Sequence, residues 1–148
     1  MKGFQYPFQK VLDLKTNTKK QAEWMLSQAI GELQAEEDSL SRVKKERHDA
    51  TITLQELVNT CAPVHELQMW QHHILHLDEK LIVHYQRVKQ AEGVVSTKQS
   101  ALHQCMSDEK LWVKAREKAE QQFKLQVSLM EQNELDEMAT VRYFMASR

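Results

Sequence analysis

Chain breakers are what this sequence has least of. Three glycines and two prolines in 148 residues leave few places for a tight turn, so a fold of many short strands joined by loops is excluded. Two cysteines cannot build a disulfide scaffold. No run of eighteen apolar residues occurs, so no membrane-spanning helix is expected. The N-terminus lacks a charged region leading into an apolar stretch and a cleavage site, so no secretory signal is expected either. A formal net charge of −1 offers no basic excess to neutralise phosphates, which argues against a nucleic-acid ligand. The basic runs Arg42, Lys44, Lys45, Arg47 and Lys110, Lys114, Arg116, Lys118 are interleaved with acids and read as solvated helix faces.

What is present is charge and helix-forming residues. Charged residues make up 28% of the chain, alongside a surplus of Ala, Glu, Lys, Leu and Gln, a mixture that reads as coiled coil when apolar residues recur every 3.5 positions. They do so twice. One register runs in steps of three and four from Ala22 through Leu26, Ala29 and Leu33 to Leu57, with Glu36 and Arg47 as its polar members. The other runs from Leu67 through Trp70, Ile74, Leu77, Leu81 and His84 to Trp112, Phe123 and Met130; its polar members are His84, Lys98, Glu109, Arg116 and Gln126. Two long helices wound on one another are predicted, forming an elongated rod.

Asn59-Thr60-Cys61-Ala62-Pro63 separates the registers, because proline cannot continue a helical ladder and disfavours helix in the residue before it. The expected architecture is all-α: a single domain over 1–148, a monomeric antiparallel hairpin with helix one at about 7–58, a turn at about 59–63 and helix two at about 64–144. Pro7 suits the first turn of helix one. A short turn sets the register, and pairing core residues whose numbers sum to 124 places Leu57 by Leu67, Leu54 by Trp70, Ala50 by Ile74, Val43 by Leu81, Lys15 by Glu109 and Phe8 by Arg116. Small residues then face large ones in several layers. Beyond about residue 118, helix two has no partner in the chain and is expected to overhang by roughly 40 Å. Cys61 and Cys105 should lie about 60 Å apart at helical rise, too far for a disulfide, which suits a reducing compartment.

Little here can carry chemistry. A two-helix hairpin encloses no pocket, and no phosphate-binding glycine loop, nucleophile elbow, paired-cysteine zinc pattern or Ser/His/Asp arrangement is visible. No catalytic residue, cofactor or metal site is therefore assigned, and an enzyme is not expected. His72 and His76 are spaced i, i+4 and could chelate a metal, but no third ligand is evident and a polar contact surface is the reading preferred. His84 sits at a seam position, and Glu36, Arg47 and Lys98 read as polar insertions that set register. The overhang carries Phe123, Leu129 and Met130, with Phe4 and Phe8 near the same end. That many large apolar groups on a lone helix predicts partner docking.

The string Phe4-Gln5-Tyr6-Pro7-Phe8-Gln9-Lys10-Val11-Leu12-Asp13-Leu14-Lys15 resembles the opening of the FliJ family, the stalk protein of flagellar type III export. Trp70 to Leu81 is similar to that family's segment after the turn, and Arg116-Glu117-Lys118-Ala119-Glu120-Gln121-Gln122-Phe123 with the tail Glu134 to Met138 is similar to its later helix. The resemblance implies a non-enzymatic antiparallel coiled coil, cytoplasmic and peripheral at the inner face of the cell membrane. It would insert into the hexameric export ATPase, touch the cytoplasmic part of the export gate and handle export chaperones. The gate contact would fall on His73, Leu77, Lys80 and His84, where His73 replaces an aromatic residue of the family and Lys80 a small one. Phe4, Phe8, Phe123, Leu129 and Met130 become candidates for the ATPase ring. A virulence-type secretion stalk and a rotary-ATPase central shaft share the hairpin. A metal-responsive or nucleic-acid-binding hairpin is disfavoured by the charge balance.

Overall fold

A computed structural model describes residues 3–147. Met1, Lys2 and Arg148, the outermost residues of the expected domain, lie outside the described residues. Two α-helices packed against each other account for nearly all of it: α1 spans Gln9–Asn59 (51 residues) and α2 spans Val64–Ala146 (83 residues). No strand occurs among the described residues.

The helix ends follow from local hydrogen bonding. The Gln9 N–H donates to the Tyr6 carbonyl (3.1 Å) and the Leu12 N–H to the Phe8 carbonyl (3.0 Å). Pro7 therefore occupies the turn that leads into α1, where its fixed φ is an asset and its missing N–H costs nothing. At the far end the Ala62 N–H donates to the Leu57 carbonyl (3.0 Å) and the Cys61 N–H to the Val58 carbonyl (3.2 Å). That 6→1 and 5→2 pair is a Schellman cap. It needs a left-handed residue at its centre, and Cys61 provides it with φ of 53°. The Pro63 carbonyl then accepts from Leu67 (3.3 Å) and opens α2.

The chain forms two units, one of Gln21–His103 and one combining the residues up to Lys20 with those from Gln104 onward. In the first, every expected seam residue of α1 from Ala22 to Leu57 and of α2 from Leu67 to Leu102 is buried or half-buried. Leu77 (1% exposed) lies at the centre with Val43 and Ala50, and Trp70, Ile74 and Leu81 pack against them. The small Ala50 makes room for that crowd of large side chains. Arg47, a polar seam residue, is satisfied by an ion pair with Asp78 on the other helix, and the Lys44 ammonium sits 5.1 Å from the centre of the Tyr85 ring, a cation–π geometry.

The second unit departs from the level-by-level alignment in three ways. Lys19, not Lys15, pairs with Glu109: its Nζ lies 3.1 Å from Oε2 and 3.3 Å from Oε1. Side chains on a helix lean toward its N-terminus, so in an antiparallel pair residues one turn apart lean toward each other. Phe8 meets Trp112, with ring centroids 5.9 Å apart, while Arg116 stays in solvent. The ring pair buries apolar surface while leaving the guanidinium fully hydrated.

The third departure concerns where the overhang begins. Phe4 packs its ring on Phe123 at 5.6 Å, so α2 is covered beyond residue 118, and Ala119, Glu120, Phe123 and Val127 are half-buried. A non-helical chain advances about 3.3 Å per residue against 1.5 Å in a helix. The four steps from Phe8 to Phe4 therefore track roughly nine helical residues, close to the span from Trp112 to Phe123. Ala119 and Phe123 keep the expected register, but with no helix opposite to hold a 3.5-residue period Val127 is half-buried in place of Gln126, and Gln126 and Met130 are exposed. From Ser128 to Ser147 every residue is exposed.

Candidate docking surfaces

Two stretches of α2 present unspent apolar and polar side chains. The earlier follows the turn. His73, Leu77, Lys80 and His84 cannot all face outward, because Leu77 and His84 are themselves positions of the seam register while His73 and Lys80 stand one residue to its side. Leu77 is the most completely buried side chain described, a packing residue rather than a docking one in the folded hairpin. His84 is half-buried, and its Nδ1 is buried without a hydrogen-bond partner. His73 and Lys80 are exposed, with the His73 ring set edge-on to Trp70 at 5.7 Å.

The outward surface lies one position to the side. Met69 and His73 share a shallow groove with Trp70, and His76, Lys80, Val83 and Arg87 line another with Glu79 and His84. Met69, His73, His76, Lys80, Val83 and Arg87 repeat at steps of four and three, which puts them in one stripe beside the seam. Met69, Val83 and Arg87 are the residues that sequence reasoning missed, while His76 was read from sequence as part of a polar contact surface. Their signal is the seam register itself, shifted by one residue. The stripe mixes imidazole, ammonium and guanidinium groups with apolar ones. It suits protein contact, and among the described residues no group of three or more His, Cys, Asp or Glu side chains is placed to hold a metal ion.

The later surface is the end of α2. Leu129 and Met130 are 63% and 58% exposed, and one residue apart on a helix they point about 100° from each other. Met130 belongs with Met138, Val141 and Met145 on one face, all more than half exposed. Phe4 and Phe8, proposed from sequence as free aromatics at this end, are instead seated on Phe123 and Trp112, although Phe8 remains 53% exposed. The exposed helix carries Glu131, Glu134, Asp136 and Glu137 against Arg142. It is braced within itself by the Gln132 amide donating to the Asp136 carboxylate (3.2 Å). A shallow groove between Glu134, Glu137, Met138, Val141 and Arg142 combines an apolar floor with a charged rim.

Comparison with known families supplies the context for these faces. A model described as Flagellar FliJ protein matches residues 4–148. The chain belongs to the FliJ family. No curated protein and no solved structure gives a match. Membership makes this FliJ-family chain a component of flagellar protein export, and its all-helical hairpin is consistent with a non-catalytic role. No described helix is long and apolar enough to cross a membrane. Among the described residues both cysteines are free, Cys61 exposed and Cys105 half-buried.

Proposed function

We propose that this FliJ-family chain is a non-enzymatic stalk of the flagellar type III export apparatus. It docks by its overhanging end in the ring of the export ATPase and contacts the export gate through the stripe beside the post-turn seam. Export chaperones are further partners, and its place is the cytoplasm at the inner face of the cell membrane. The observation that carries this reading is the exposed end of α2, in which Met130, Met138, Val141 and Met145 are 53–74% exposed along one face. Fully burying such side chains is worth about 1.5–3 kcal/mol each, so several seated together in a ring supply useful affinity. Methionine, flexible and polarisable, adapts to a surface of several similar subunits.

The test is truncation after Val127, the last half-covered residue. The shortened chain should keep its helical melting transition and lose binding to the export ATPase hexamer. Undiminished binding would remove the overhang as the docking element. For the gate, Lys80→Glu together with His73→Ala should weaken binding to its cytoplasmic region without altering the melt.

A further inference from the structure

We propose that residues 3–8 form a displaceable strap, and that docking of the ATPase ring on the end of α2 requires this strap to leave the helix. The inference rests on the docking reading above and adds its regulation.

The strap is lightly held. Two aromatic pairs join it to α2, Phe4 on Phe123 at 5.6 Å and Phe8 on Trp112 at 5.9 Å. Tyr6 turns its ring to Phe8 instead, edge-on at 5.8 Å. Among the described residues no hydrogen bond or ion pair joins residues 3–8 to α2; the backbone bonds of the segment are local, from the Gln9 N–H to the Tyr6 carbonyl and from the Leu12 N–H to the Phe8 carbonyl at the start of α1. Pro7 contributes no N–H at all. A helix has no free backbone groups along its side to offer in return, so such a segment cannot be stitched down as an added strand would be.

What the strap covers is the beginning of the docking face. Trp112 and Phe123 lie beneath it, half-buried Ala119 stands between them on the same face, and Val127, Met130 and Val141 continue beyond it. At 100° per residue these six positions fall within roughly 80° of one another, a single stripe. A partner lying along Val127–Val141 that extends one further turn toward the hairpin arrives at Phe123, where the Phe4 ring already sits. Strap and partner compete for that place. The closed strap shields apolar surface that is otherwise prone to association, and its opening lengthens the face presented to the ring and frees Phe4 and Phe8 to join it.

A cleavable tether tests this. In a Cys61→Ser, Cys105→Ser background, Phe4→Cys and Phe123→Cys are bridged with a bismaleimide whose spacer contains a reducible bond. The control is the same protein with each thiol capped by N-ethylmaleimide. Bound to the export ATPase hexamer, the bridged protein should be at least tenfold weaker than the capped one, and reduction of the spacer should restore it. Equal binding by bridged and capped forms would show that the strap stays in place, overturning the inference while leaving the docking reading intact. If circular dichroism shows that these replacements disturb the helix end, cysteines at Phe8 and Trp112 give the same comparison. Failure of the unmodified full-length chain to bind the hexamer overturns both readings, and it is seen before any cysteine is introduced.

Discussion

Lys19 on α1 reaches Glu109 on α2 at 3.1 Å, one helical turn from the lysine that stands level with that glutamate. The pairing follows from the opposed lean of side chains on antiparallel helices. Both side chains are only about one-fifth to one-quarter exposed, so screening by water is partial. A double-mutant cycle on Lys19→Ala and Glu109→Ala, read by urea denaturation, should give a coupling of about 0.5–1 kcal/mol. The same cycle with Lys15→Ala should give essentially none.

Leu77 should prove the most sensitive position of the seam. Its side chain is 1% exposed between Val43 and Ala50, and truncating such a leucine leaves a cavity. Leu77→Ala is expected to cost about 2–5 kcal/mol of hairpin stability. His73→Ala, four residues earlier and exposed, should change stability by no more than about 0.5 kcal/mol. Similar destabilisation by the two would contradict the seam assignment.

At the turn, Cys61 holds a left-handed backbone at φ of 53°, a conformation that glycine adopts without a Cβ penalty. Cys61→Gly should therefore stabilise the hairpin by about 0.5–1 kcal/mol, raising the thermal midpoint under reducing conditions. Cys61→Val, β-branched at the same position, should lower it.

Hydrogen exchange should fall into two classes along α2. Amides near Leu77 and Val88, both buried in the hairpin, should open only with the global transition. Those after Val127, on a helix with no covering partner, should exchange by local fraying. Protection beyond residue 135 equal to that near Leu77 would reveal a partner helix, such as a second copy.

The hairpin was legible because its signals are periodic or punctuating. Apolar residues repeating every 3.5 positions named both inner faces from Ala22 to Leu102, and Pro63 with its neighbours marked the turn. The overhang was legible too, as apolar residues running on after the opposite helix ends. Leu77 shows the limit of that reading: its register placed it in the seam while family resemblance placed it on a docking stripe, and packing against Val43 and Ala50 settles its burial. The outward positions Met69, Val83 and Arg87 carry no hydrophobic period of their own, and their only signal is the seam register displaced by one residue, which does not by itself mark a contact surface.

By itself the sequence determined the number of helices, their inner faces and their reversal at Pro63, since those depend on local propensity and a repeating pattern. Tertiary structure alone decided which long side chains meet, as with Lys19 and Glu109, because reach and lean act across a gap that no sequence spacing encodes. It alone decided the course of residues 3–8 as well. A short non-helical segment has no period to read, and its position is set by where Phe4 and Phe8 find rings to cover, at Phe123 and Trp112.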